Sequence, residues 1–216
     1  MWPQAWWSSC KASAALHGST GSRARNSGNA SWRKRSWRLA SLKSISDVTH
    51  IDLTEIGGCV YTVRRRLWPF RHRRLRRVVR YRLNEYPQGS GIQWSDRKGV
   101  VGQAMRDISP RHFDWREVAA AWNRPGNLPW EAYTSLSEAE RMGFSYDEYR
   151  KVARKYSEGL AVPIVSNGQG RVLGVFAVDL PYTPGYELEP CRLDSPMVIR
   201  IATACAGMLR DMLEAD

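Results

Sequence analysis

Apolar positions are densest between Leu160 and Leu180, LAVPIVSNGQGRVLGVFAVDL. Leu160–Val165 and Arg171–Asp179 form two runs, with Asn167-Gly168 and Gly170 between them. Asn and Gly tolerate positive φ, so this stretch predicts a β-hairpin. Val172, Phe176 and Val178 fall on one side of the second run; Leu173, Val175 and Ala177 fall on the other. A strand apolar on both faces is a central strand, covered front and back.

The same reading extends along the chain. Ile51–Glu55 reads as a short turn or the end of a helix, and Gly57-Gly58 lead into a strand over Cys59–Arg66. LWPFRHRR (Leu67–Arg74) is a loop, because Pro69 breaks a ladder and the arginines prefer water. A second strand follows over Leu75–Asn84, with Val79, Tyr81 and Leu83 on one face and Val78, Arg80 and Arg82 on the other. The pair is expected to be antiparallel. After the turn cluster Tyr86–Gly91, Ile92–Trp94 predicts a short strand and Lys98–Asp107 a short helix. In that helix Val100, Val101, Ala104 and Met105 share a face, and Gly99 and Gly102 let it pack closely on the sheet.

Residues 110–159 read as a mostly helical, aromatic-rich insert. Its helices are expected over His112–Trp122 and Tyr146–Tyr156, the latter capped by Ser145 and opening on Asp147 and Glu148. After a proline-containing loop, the last helix starts with Ser195 as N-cap and Pro196 at its first position. Val198, Ile201, Cys205, Met208 and Met212 follow 3-4-3-4 spacing, a seam that either packs on the sheet or forms a homodimer contact.

Charge divides the chain. Residues 1–82 carry 18 Lys and Arg against Asp47, Asp52 and Glu55, although the net charge of the whole is only +12. A basic front on a slightly acidic body points to an electrostatic partner for the front. Residues 1–45 are rich in Ser, Gly, Arg and Trp and keep no period, so they are expected to be a disordered tail. With Trp2, Trp6, Trp7, Trp32 and Trp37, that tail reads either as an Arg/Trp arm touching anionic membrane or nucleic acid, or as a non-native extension. No run approaches the roughly 18 apolar residues of a membrane-spanning helix, and no apolar leader is evident. Cys10, Cys59, Cys191 and Cys205 are widely spread, with no CxxC and no His at metal-ligand spacing. Reduced thiols in a cytoplasmic protein, and no metal site, are the expectation.

Three stretches carry a family resemblance: KGVVGQAM (Lys98–Met105), AVPIVSNGQGRVLGVFAVD (Ala161–Asp179) and the helix from Ile199 to about Leu213. Together they resemble a GAF domain over roughly Leu53–Leu213. The resemblance implies an α+β fold: a central antiparallel β-sheet of five or six strands with helices on both faces. It also implies a small-molecule sensor that dimerises and regulates an output domain. Members bind cyclic nucleotides, tetrapyrroles, haem or metabolites. The Asn-Lys-Phe-Asp-Glu pattern of the cyclic-nucleotide binders and the Cys-His pair of the bilin binders are missing, so no cofactor is named. The domain is placed at residues 46–216.

No GxSxG, P-loop, HExxH or Rossmann glycine pattern occurs, and no catalytic residue is assigned. The expected function is that of a non-enzymatic sensor or regulatory domain binding a small molecule or partner protein. Its pocket is expected between the sheet, the Lys98 helix and the insert, walled by Trp94, Trp115, Tyr133, Phe144 and Tyr149. The alternative is a polyanion-binding adaptor for nucleic acid or anionic membrane. Ten arginines lie between Arg64 and Arg82, and Arg71, Arg73, Arg74, Arg76 and Arg77 would contact the anion.

Overall fold

A computed structural model describes residues 40–64, 73–123, 130–168, 170–185 and 189–214. The tail expected to be disordered therefore lies outside the described residues as far as residue 39. From residue 40 the expectation is corrected: residues 40–49 form a helix, α1, whose Leu42 and Ile45 enter the core. Two apolar residues three apart suffice to seat this short helix, a pattern too brief for periodicity to reveal.

The remaining elements are β1 (Gly57–Arg64), β2 (Arg74–Tyr81), α2 (Gly99–Asp107), β3 (Arg111–Asp114), α3 (Arg116–Asn123), α4 (Trp130–Ser135), α5 (Glu138–Arg141), α6 (Tyr146–Ala153), β4 (Tyr156–Val165), β5 (Val172–Pro181) and α7 (Pro196–Glu214). The strands form one sheet in the order β2-β1-β5-β4-β3, with every neighbouring pair antiparallel. The class is α+β, as expected. The hairpin β4–β5 is present, and β5 is the middle strand. Residues 160–162 and 175–178 are all buried.

Two apolar layers hold the sheet. On one face α1 and α7 cover Val60, Leu160, Val162, Ile164, Phe176 and Val178. On the other, α2 packs Val101, Ala104 and Met105 against Cys59, Tyr61, Val175 and Ala177. A third cluster, built on Trp115, Trp122, Phe144 and Tyr149, is the core of the insert. The expected sides of β5 need one correction. Val172 lies with Val175 and Ala177, and Leu173 packs with Phe176 and Val178. The register slips there, with Ile164 opposite Gly174 but Val165 opposite Val172, so the odd residue reverses the alternation.

Three further expectations are corrected. Ile92–Trp94 forms no strand; the neighbouring Ser95 makes only an isolated bridge to Arg74. The helix expected over His112–Trp122 starts at Arg116, because Arg111–Asp114 pair with Glu158–Ala161 as an edge strand. Residues 110–159 thus contribute β3 and the start of β4 to the sheet, and two short helices, α4 and α5, lie between α3 and α6. Gly102 packs not on the sheet but on the 95–97 turn, where a Cβ would sit 2.5 Å from the Ser95 carbonyl. The Ser145 cap is present as a capping box, its hydroxyl accepting from the Glu148 N–H while the Glu148 carboxylate accepts from Ser145.

The α7 seam packs on the sheet side through Val198, Ile201, Cys205 and Met212, and only Met208 turns outward. Val198, Ala202, Cys205, Ala206 and Leu209 are buried, whereas Met208 is 54% exposed. The helix presents its small residues to the sheet, which lets it lie close over β4 and β5. Leu209→Ala should therefore cost about 2–5 kcal/mol and Met208→Ala less than about 0.5 kcal/mol, measured by chemical denaturation.

Candidate functional site

On the α2 face, a half-open cavity of about 60 Å³ lies between the sheet and the insert. Its floor is Cys59 and Tyr61 of β1 and Ala177 of β5, and its lid is Val100 and Val101 of α2. Its wall is aromatic. Trp94 meets Tyr61 and Phe144 edge-on, each at 5.8 Å between ring centroids, and Trp115 stands 6.5 Å from Phe144. These rings are held by the insert. Gly99 opens α2 at φ +59°, and a Cβ there would lie 2.7 Å from the Phe144 ring. Lys98 pairs with Glu148 at 2.6 Å, tying the start of α2 to the start of α6. Burial opposes charge on Glu148, but Lys98 and Ser145 still hold its carboxyl below the usual range.

The other end of the cavity is polar. Asp179 of β5 pairs with Arg82, whose side chain is 3% exposed and also donates to the Glu55 carbonyl at 3.1 Å. Gly57 permits this pairing, since any Cβ there would land on the Arg82 guanidinium. Burial pushes the Asp179 carboxyl up, and Arg82 and Arg80 pull it back toward ionisation. Burial and Asp179 push the Cys59 thiol up to about 11, so it is protonated at neutral pH and a poor nucleophile.

Arg77 and Arg80 complete the rim. In an unbroken strand, residues three apart point to opposite faces. Here Val60 pairs with Val79 but Tyr61 pairs with Arg77, so Val78 is an extra residue. The bulge turns Arg77 and Arg80 onto the cavity side together. Arg80 donates to the Pro87 carbonyl. Arg77 leans on the 86–91 loop near Gly89 and makes no ion pair among the described residues.

Of the expected pocket residues, Trp94, Trp115 and Phe144 line the cavity. Tyr133 and Tyr149 do not: both are buried in the insert core, where Tyr133 donates to the Phe144 carbonyl at 2.7 Å. They support the wall from behind. Of the expected anion-binding group, Arg71 lies outside the described residues. Arg73, Arg74 and Arg76 are exposed on or beside the edge strand β2, and Arg77 belongs to the cavity. Sequence reasoning missed Arg80, Arg82 and Asp179 as one polar end, because a bulge and a long-range ion pair leave no periodic trace.

Removing Arg82 should be severe, because it strands the Asp179 carboxylate. Arg82→Met is expected to cost about 3–5 kcal/mol, while Arg82→Met combined with Asp179→Leu costs less than Arg82→Met alone. Urea denaturation of the two variants checks this.

No family model and no curated protein matches the sequence. Solved structures do. The type II free methionine-R-sulfoxide reductase of Thermoplasma acidophilum is 10% identical, with a TM-score of 0.44, over 84% of this chain and 92% of that one. A GAF domain region from Geobacter sulfurreducens is 11% identical, with a TM-score of 0.46, over 83% and 96%. The GAF domain of Acinetobacter phosphoenolpyruvate-protein phosphotransferase is 13% identical, with a TM-score of 0.43, over 83% and 94%. The five-stranded antiparallel sheet clothed by helices on both faces is the architecture that the hairpin and helix motifs implied.

Proposed function

We propose that this chain is a non-enzymatic regulatory domain that binds a small molecule in the cavity between α2 and the sheet. The ligand class favoured is an organic anion: an apolar or aromatic body against Trp94, Trp115 and Phe144, and a carboxylate-like group toward Arg77 and Arg80. The observation that carries this reading is the β2 bulge. It brings two guanidinium groups to the mouth of a cavity whose wall is largely aromatic, where Arg77 makes no close ion pair among the described residues and the nearby Asp179 is bound to Arg82. Guanidinium binds carboxylate in a planar, bidentate manner, and an apolar surround strengthens that contact. The non-enzymatic part of the reading is supported by the protonated Cys59 thiol and by Asp179 being committed to Arg82.

The polyanion-adaptor reading rests on a separate set, Arg73, Arg74 and Arg76. Their exposure on an edge strand is equally explained by protection against edge-to-edge pairing. It therefore ranks second.

Acetate, isobutyrate and benzoate, each compared with its neutral amide, would be titrated while following tryptophan fluorescence and thermal stability. At least one acid is expected to stabilise the protein and quench fluorescence while its amide does not. Arg77→Ala should weaken that acid by about 10-fold or more. Equal binding of acid and amide, or undiminished binding by Arg77→Ala, would overturn the proposal.

A further inference from the structure

On the opposite face of the sheet, at the β3–β4 corner, three side chains of different chemistry converge. His112 of β3 pairs across the ladder with Leu160, which packs with α7, so His112 faces the α7 side. Glu158 lies two residues before Leu160 on the same strand and shares that face. Cys191 comes from the segment that leads into α7. The ligating atoms of His112, Glu158 and Cys191 all lie within 4.8 Å of one another. His112 Nε2 is 3.0 Å from Glu158 Oε2.

We infer that His112, Glu158 and Cys191 form a binding site for a divalent transition-metal ion of the zinc class. Imidazole, thiolate and carboxylate are the three protein ligands zinc uses, at about 2.0–2.3 Å. A tetrahedral ion with such bonds separates its ligand atoms by about 3.3–3.8 Å, so small side-chain adjustments close the cluster around it. A hard oxygen-seeking ion such as calcium is disfavoured by the thiol and imidazole.

The surroundings meet the requirements of an outer shell. Glu158 is buried, and the backbone N–H groups of Arg192 and Leu193 donate to it at 2.8–3.1 Å. Those bonds fix the carboxylate against the segment that carries Cys191. The Cys191 thiol donates to Asp114 Oδ2 at 3.2 Å, placing a further oxygen next to the sulfur as a candidate fourth ligand. Arg116 lies close, with Nη2 2.6 Å from Asp114 Oδ2 and 2.9 Å from Cys191 Sγ. Its charge is balanced by Asp114, and the ion's two charges are balanced by one thiolate and one carboxylate. The assembled site is neutral, which a partly buried position demands. On binding, the ion displaces the thiol proton to solvent, with no change in oxidation state.

The test uses the full chain, refolded or purified with zinc chloride, dialysed, and assayed for bound metal. About one zinc per chain is expected, falling to background in Cys191→Ser and in His112→Ala, with Cys59→Ser on the other face unaffected. Cobalt(II) supplies a second, spectroscopic readout. Wild type should show a thiolate-to-cobalt charge-transfer band, and Cys191→Ser should lack it. Circular dichroism confirms that each variant is folded; if one is not, the cobalt band of the wild type decides. Wild type that takes up no zinc and shows no cobalt–thiolate band would overturn the site and leave His112–Glu158 as a hydrogen-bonded pair. Retention of the metal and the band in folded Cys191→Ser would overturn it equally.

Discussion

Burial of β5 on both faces is the constraint from which the rest of the structure follows. Phe176 and Val178 are covered by α1 and α7, and Val175 and Ala177 by α2. Neither helical layer could be removed without exposing one side of the same strand to water, at about 25 cal/mol for each Å² of apolar surface. The two layers are therefore coupled through one backbone. β1 and β4 gain their positions by pairing with β5 along its length, and β2 and β3 become the edges. Each edge is then free to carry polar chemistry, since only one side of its ladder is committed.

Two local irregularities decide where that chemistry points. At the turn end of β5, the slip beside Leu173 sends Leu173 to the α7 layer and Val172 to the α2 layer, so both apolar side chains stay inside. On β2, the extra Val78 does the reverse for charge, turning Arg77 and Arg80 to the cavity side. The cost is Val78, left 47% exposed. An exposed valine loses little, whereas an unbroken strand would turn the Arg77 cation toward the α7 layer, so the bulge is the cheaper solution.

The parts legible in the sequence were those written in periodic or adjacent residues. The hairpin was marked by Asn167-Gly168 between apolar runs, the α6 cap by Ser145 and Glu148, and α2 by the spacing of Val101, Ala104 and Met105. What was illegible depended on pairing at a distance. β3 has only four residues, Arg111–Asp114, too few for a period to mark it as a strand; pairing with the edge of β4 settles the choice. Trp94, Trp115 and Phe144 could be named as aromatic, but nothing local distinguished them from Tyr133 and Tyr149, which support the wall without facing the cavity. Asp179 looked like the polar end of an apolar run, and its partner stands 97 residues earlier.

Two carboxylates, the half-buried Asp179 and the buried Glu158, sit on neighbouring strands and opposite faces, and they are compensated differently. Asp179 meets a full opposite charge on Arg82, a long side chain that must be immobilised to reach it. Glu158 receives two backbone N–H groups and an imidazole, donors fixed by the chain itself. The second arrangement costs less entropy and works in the opposite direction as well: the carboxylate orders residues 191–193 and so sets the point from which α7 departs. Leu193, fully buried beside it, locks that departure into the apolar layer. The polar contact and the packing of α7 are thus one structural unit, and any group that strengthened the corner around Glu158 would act on the helix directly.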